Sequence, residues 1–204
     1  MLTEKQLKIL NILKYNKDIS FSDLKKQLKE SSSSYLQKTI SDFSKENLIL
    51  INKRGRNNFI SLNYESNLLF DYLSIIEKRG IPEEVFSLIH ELLQKILKKT
   101  EFFSFIIFGS YARKNNSKKS DLDIAVILEN GNIKNRIIPE INSVKRKSLK
   151  EIDSHVFTRK EFLEMLKDEK ENLGKEIVRK HTVVYGLGNF YNLILKEVKN
   201  VSFG

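Results

Sequence analysis

The sequence predicts two units that combine helices and strands. The first is a run of helices followed by a hairpin, and the second is an α+β or α/β domain with a small mixed sheet flanked by helices. Helix-start signals recur in the N-terminal part, two short strand-like segments follow them, and nearly continuous apolar runs stand at residues 101–108 and 122–128. We therefore divide the chain into residues 1–64, a connecting helix at 65–79 and a second domain at 80–204.

Composition bounds the class of protein. The 204 residues are 40% hydrophobic and include no cysteine, which excludes disulfides, thiolate zinc sites and cysteine nucleophiles. No apolar stretch is long enough to span a bilayer, and the first six residues lack the apolar core of a signal peptide. We expect a cytoplasmic protein with no membrane partner.

The positive charge is concentrated in the N-terminal part of the chain. Residues 1–64 carry +6 of the net charge of +10. This excess favours a polyanionic partner such as nucleic acid. The alternative is a lysine-rich chain that is basic only for solubility.

Three helix starts and two strands are predicted in this basic part. Residues 3–6 (Thr-Glu-Lys-Gln) and 20–23 (Ser-Phe-Ser-Asp) have the pattern of capping boxes, and residues 31–34 offer a third choice of serine N-caps. Residues 48–53 and 58–62 are predicted strands, joined by a basic, glycine-containing hairpin tip.

This pattern resembles the winged helix-turn-helix family, in which the third helix enters the major groove of double-stranded DNA and the hairpin, or wing, touches the backbone or the minor groove. Asp42 and Glu46 depart from the family because acidic groups repel phosphates. The alternative is a three-helix domain that packs against a partner protein and has a merely solvated basic face. The resemblance implies these DNA-binding residues: Ser33, Ser34, Gln37, Lys38, Ser41, Lys53, Arg54 and Arg56.

A glycine follows the first apolar run directly. Residues 101–108 have the composition of a strand buried on both faces, and Gly109-Ser110 then opens a helix-compatible segment. Backbone amides at such a turn favour a phosphate, and the Ser110 hydroxyl adds a donor. A simple strand-to-helix turn is the alternative.

Two acids begin the second apolar run. In a strand, Asp121 and Asp123 point to the same side, so their carboxylates converge and repel unless a proton or a cation bridges them. Ligands with oxygen only suit Mg²⁺ or Mn²⁺. The alternative is a loop-facing pair that caps the edge of a sheet.

Residues 109–123 together resemble the nucleotidyltransferase superfamily that includes DNA polymerase beta. The segment aligns without a gap to the signature of its minimal nucleotidyltransferases, and the resemblance extends over residues 80–204. Lys114 replaces the glycine that commonly follows the position of Arg113, which could alter the loop under the triphosphate.

The resemblance implies a third carboxylate on a neighbouring strand, and Asp153 fits that place. Asp121, Asp123 and Asp153 would then be the catalytic, metal-binding acids, and Gly109, Ser110 and Arg113 would bind the nucleoside triphosphate. The implied reaction transfers a nucleoside monophosphate, AMP from ATP, to an acceptor hydroxyl by a two-metal-ion mechanism.

Other residues receive plainer interpretations. We expect His155 to pack beside Asp153 or to hydrogen-bond, and His90 and His181 to lie on the surface. Segments 162–166 and 183–191 are expected to cover the sheet.

Two further functional classes remain open. One is a DNA-binding transcriptional regulator whose transferase fold senses nucleotide without turnover. The other is an antitoxin-like interaction protein with an inactive fold, since relatives of the resembled family include antitoxins that adenylylate a partner toxin. The enzyme predicts metal-dependent release of pyrophosphate. The regulator predicts salt-sensitive binding of duplex DNA, and the interaction protein predicts a tightly bound protein partner.

Overall fold

The computed structural model describes residues 1–16, 18–29, 32–117 and 119–197. The chain divides into two units, the first from Met1 to Ile76 and the second from Glu77 onward. None of the helices in the described residues has the length and apolar character needed to cross a membrane.

The first unit begins with three helices and a three-stranded sheet. Strand β3 lies between β1 and β2, and both pairings are antiparallel. The elements are α1 (Glu4–Lys14), β1 (Ile19–Ser20), α2 (Phe21–Leu28), α3 (Ser33–Lys45), β2 (Ile49–Arg54) and β3 (Asn57–Leu62).

Side-chain caps determine where these helices begin. The Thr3 side chain accepts from the Gln6 amide, and the Gln6 side chain accepts from the Thr3 amide at 2.9 Å, so the first capping box is confirmed. The second is only half formed, because the Asp23 carboxylate binds the Ser20 hydroxyl (2.7 Å) rather than the Ser20 amide. The N-cap of α3 is Ser32, while Ser31 lies outside the described residues.

Leucines at helical spacing form the core of this unit, as the sequence period predicts. The following are all buried: Leu7, Leu10, Leu13, Leu24, Leu36 and Phe43. The outer strand β2 is exposed after its first residue, which leaves the basic hairpin in contact with solvent.

Helix α4 (Asn67–Gly80) follows the hairpin. Leu69 and Leu73 are fully buried. The division between the units falls inside this helix, after Ile76.

The second unit is a four-stranded mixed sheet with helices. The strand order is β6-β5-β4-β7, in which β5 and β6 are parallel and the other neighbours are antiparallel. The elements are α5 (Glu83–Leu97), β4 (Phe103–Ile107), α6 (Gly109–Arg113), β5 (Leu122–Leu128), a 3₁₀ turn (Gly131–Ile133), α7 (Lys134–Lys145), β6 (Ile152–Thr158), α8 (Arg159–Lys167), α9 (Leu173–Arg179), β7 (Thr182–Tyr185) and α10 (Leu187–Glu197).

The two central strands are covered on both faces. Every residue of β4 is buried, which explains the unbroken apolar run in the sequence. Helices α5 and α7 pack on one face, and α8 and α10 pack on the other. The sheet therefore presents its functional side chains at a strand end rather than on a face.

Strand β7 corrects one expectation from the sequence. Its residues were expected to cover the sheet, but they pair with β4 as an edge strand of that sheet. The segment is only four residues long, with a glycine directly after it. Such a short apolar run does not distinguish a strand from a covering segment until its partner is present.

His181 is the second correction, because it is fully buried instead of lying on the surface. Its Nδ1 lies 3.1 Å from the carbonyl oxygens of Ile177 and Val178, so Nδ1 carries the proton. Its Nε2 lies 3.1 Å from the Tyr191 hydroxyl, which in turn lies 3.3 Å from the carboxylate of the buried Glu77. The histidine is thus part of a buried polar network.

Candidate active site

Two acids lie side by side at one edge of the sheet. Asp123 on β5 and Asp153 on β6 are register partners in the parallel pairing. Neighbouring strands are about 4.8 Å apart, and paired residues point to the same face. Asp123 is half-buried, while Asp153 is exposed. The two carboxylates therefore leave the sheet at the same place.

Asp121 lies two residues before Asp123, just ahead of β5, and is exposed. Burial raises the pKa of the Asp123 carboxyl above its ordinary value, and a hydrogen bond from the Ser110 amide opposes the rise. The negative charges of Asp153, Asp121 and then Glu176 raise this pKa further. The position is thus a centre of negative potential.

The turn at Gly109 is shaped around Asp123. The Phe108 amide donates to the Asp123 carbonyl (3.1 Å), which extends the pairing of β4 with β5 up to the start of α6. Gly109 has a φ of +61°, and a Cβ there would overlap the Asp123 carboxylate. Glycine is therefore required twice, for its backbone angle and for space.

The predicted phosphate-binding amide has a partner inside the protein. The Ser110 amide donates to the Asp123 carboxylate, so a phosphate at this turn would have to replace that carboxylate as acceptor.

Arg113 also has a partner within the protein. Its Nη1 lies 2.9 Å from Oε1 of Glu176, which stands in the first turn of α9. Sequence reasoning missed Glu176, because nothing in its spacing connects it with residues 109–123. The only available signal was an acid placed shortly after the N-cap Asn172, which is equally explained by the helix dipole.

Asp153 has a histidine partner. His155 Nε2 lies 3.0 Å from the Asp153 carboxylate. The ring is nearly parallel to that of Phe157 and lies 6.0 Å from that of Phe108. The expectation that His155 hydrogen-bonds and packs beside Asp153 is confirmed.

The three predicted acids lie close enough for the charges of Asp121 and Asp153 to act on Asp123. In the described residues, no three His, Cys, Asp or Glu side chains are grouped so that they could hold a metal ion. The Asp123 carboxylate turns to the Ser110 amide and that of Asp153 to His155. The assignment of Asp121, Asp123 and Asp153 as metal ligands stays a prediction.

Lys114, which stands where the resembled family commonly has glycine, has a backbone conformation that favours glycine. Lys114 caps the C-terminus of α6 with a φ of +58°, in the left-handed region that favours glycine. A lysine at this position therefore keeps a conformation that costs about 1 kcal/mol relative to glycine.

In the first unit, some of the predicted DNA-binding residues line a groove or are exposed, and others contact protein side chains. A groove of about 660 Å³ lies between α3 and the β2–β3 hairpin, and Gln37, Ser41 and Arg56 line it. Lys38 and Lys53 are exposed.

The remaining three have protein partners. The Ser33 hydroxyl accepts from Lys25 Nζ (2.6 Å), and the Ser34 hydroxyl lies 3.1 Å from that of Ser32. Arg54 Nη2 lies 2.6 Å from the carboxylate of Asp18, with which it forms an ion pair.

Residues 91–187 match the family model described as polymerase beta, nucleotidyltransferase. The matched range contains every candidate residue of the second unit, and the mixed sheet with its helices fits such a domain. The match supports nucleotidyl transfer as the general function of this part of the chain. No curated protein and no solved structure matches the chain significantly.

Proposed function

We propose that the second unit transfers a nucleoside monophosphate, AMP from ATP, to an acceptor hydroxyl. The observation that carries the proposal is the direct pairing of Asp123 with Asp153 beside the Gly109-Ser110 turn, inside the range that matches the nucleotidyltransferase family. A sheet edge that combines acids with a phosphate-binding turn suits a reaction of metal-bound phosphates.

The residues fit a divalent cation of the Mg²⁺ or Mn²⁺ type. Their donors are carboxylate oxygens. Burial, and after it the negative charges of Asp153 and Asp121, raise the pKa of Asp123, and a cation would offset those charges. Asp121, Asp123 and Asp153 would hold two such ions, which would supply neutralisation of the charge on the attacked phosphate.

The remaining steps use groups of the chain. The amides at Gly109 and Ser110 would bind the terminal phosphates, and Arg113 would bind them by charge. The acceptor oxygen forms a bond to the α-phosphorus, the bond to pyrophosphate breaks, and pyrophosphate leaves with the electron pair. Asp153 would take the proton of the acceptor hydroxyl, with His155 orienting its carboxylate.

Incubation of the protein with labelled ATP, Mg²⁺ and a cell extract tests this proposal. We expect one macromolecule to be labelled and pyrophosphate to be released, and Asp121→Ala or Asp123→Ala to abolish both. Asp71→Asn, which changes an exposed acid outside the site, is the control and should leave both unchanged. Labelling that persists without metal, or in Asp123→Ala, would contradict the proposal.

We propose a second function for the first unit, which is binding of double-stranded DNA as a winged helix. The supporting observation is the groove between α3 and the hairpin, which has Gln37 on one wall and Arg56 on the other in the part of the chain that carries most of the net charge. Such a groove can receive a phosphate backbone.

Titration with duplex DNA at several salt concentrations tests this function. We expect salt-sensitive binding that Arg56→Ala weakens. Arg54→Ala should weaken it less, because a phosphate must first displace Asp18 from Arg54. Equal effects of the two substitutions would contradict the groove as the contact surface, and recovery of a protein partner with no duplex binding would favour the antitoxin-like alternative.

A further inference from the structure

The ion pair between Arg113 and Glu176 joins two elements of the candidate site. Arg113 is the last residue of α6, and Glu176 lies in α9. Their nearest atoms are 2.9 Å apart, and the side chains are 45% and 48% exposed. An ion pair in contact with water is weak, so a competing anion can replace Glu176 as the partner of Arg113.

Two groups that suit a phosphate chain each lie against a carboxylate of the protein. The Asp123 carboxylate lies against the turn that carries the Ser110 amide, and the Arg113 guanidinium is paired with Glu176. The charge of Glu176 also acts on Asp123. The acids of the site therefore stand where an anionic substrate would make its contacts.

We propose that Glu176 is an internal counterion that competes with the nucleotide for Arg113, so that it lowers affinity for nucleoside triphosphates and sets how strongly they are preferred over monophosphates. The inference rests on the proposed transfer function. Glu176 acts through Arg113 and is a positioning residue.

The number of phosphates decides whether Arg113 contributes to binding. AMP carries only the α-phosphate that the proposed reaction attacks, whereas ATP also carries the terminal phosphates that Arg113 would bind by charge. Release of Arg113 should therefore favour ATP over AMP.

Removing the charge of Glu176 tests the inference. We expect Glu176→Gln to tighten ATP binding by about two- to five-fold, the range that a half-exposed ion pair supports. AMP binding should stay the same, and the KM for ATP should fall while kcat is retained. Glu176→Asp, which shortens the side chain, should give a smaller gain. Calorimetric titration at saturating Mg²⁺ and steady-state kinetics give these values.

Glu171→Gln is the matched control. Glu171 is also an exposed acid and makes two 2.6 Å contacts with Arg179 of α9, but it is not among the charges that act on Asp123. We expect no change in ATP affinity. In an Arg113→Ala background, which itself should weaken ATP binding, Glu176→Gln should give no gain.

The inference is overturned if wild type binds ATP and Glu176→Gln does not tighten that binding, or if the gain persists without Arg113. It is also overturned if Glu171→Gln gives the same gain, because the effect would then be one of net charge. Failure of wild type to bind any nucleoside triphosphate instead removes the proposed function, and this inference with it.

Discussion

Replacement of Asp123 by asparagine should raise the free energy of unfolding in the absence of metal and abolish the stabilisation that Mg²⁺ gives to the wild type. Asp123 has a raised pKa because it is half-buried and faces other acids. The folded state therefore binds the proton more readily than the unfolded chain does, so stability falls as pH rises from the ordinary aspartate pKa through the raised one. At pH 7 the ionised group destabilises the fold.

Asparagine removes this charge and keeps an oxygen that can accept from the Ser110 amide. Because the site is partly open to water, we expect a gain of about 0.5 kcal/mol in the free energy of unfolding at pH 7 without metal. For a chain of this length that corresponds to a rise of about 1–2 °C in Tm. The gain should disappear below the ordinary aspartate pKa, where both variants are neutral.

Mg²⁺ should reverse the order of the two proteins. At ten times Kd, a ligand that binds only the folded state adds about 1.4 kcal/mol. Wild type should gain this amount and Asp123→Asn almost none.

Thermal unfolding with EDTA and with Mg²⁺, between pH 3 and 8, measures these effects, and Asp71→Asn is the control. A lower Tm for Asp123→Asn in EDTA at neutral pH would refute the electrostatic reasoning. Equal stabilisation of both variants by Mg²⁺ would refute the role of Asp123 as a ligand.

Three further predictions concern stability and are measured by urea unfolding. Gly109→Ala should cost about 2–4 kcal/mol, because it adds a steric overlap to the left-handed backbone. Gly55→Ala has the same φ of +61° but no atom within 4 Å of the added Cβ, so its cost of about 1 kcal/mol isolates the backbone term, and equal losses would contradict the overlap. Lys114→Gly should stabilise by about 0.5–1 kcal/mol, and a loss would show that the left-handed cap is not strained. Tyr191→Phe should cost about 1–3 kcal/mol, since it removes the hydroxyl that joins Glu77 to the buried network; no loss would mean that the network contributes nothing.

Local patterns in the sequence anticipated much of the second unit. Residues 101–108 carry the unbroken apolar run of a strand covered on both faces, and Asp121 and Asp123 show the alternation of a strand that begins at a site. Both signals depend on periodicity along a single segment, which a sequence displays directly. The cap at Thr3 was predictable for the same reason.

Contacts between distant segments could not be read in this way. Strand β7 is four residues long and became recognisable only through its pairing with β4. His181 has no distinguishing neighbours in the sequence, yet it is buried beside Tyr191. Arg54 looked like a free cation until Asp18 was brought against it.

The chain by itself determined which residues could carry the chemistry: a glycine-serine turn after a buried strand, and acids spaced by two. Tertiary structure decided which of them meet. It set Asp153 opposite Asp123 through strand register, and it brought Glu176 to Arg113 from a different helix. The physical reason is the distance along the chain over which each effect acts. Backbone periodicity involves a few neighbouring residues. Charge and hydrogen bonding at the site depend on segments that meet only when the sheet and its helices have packed.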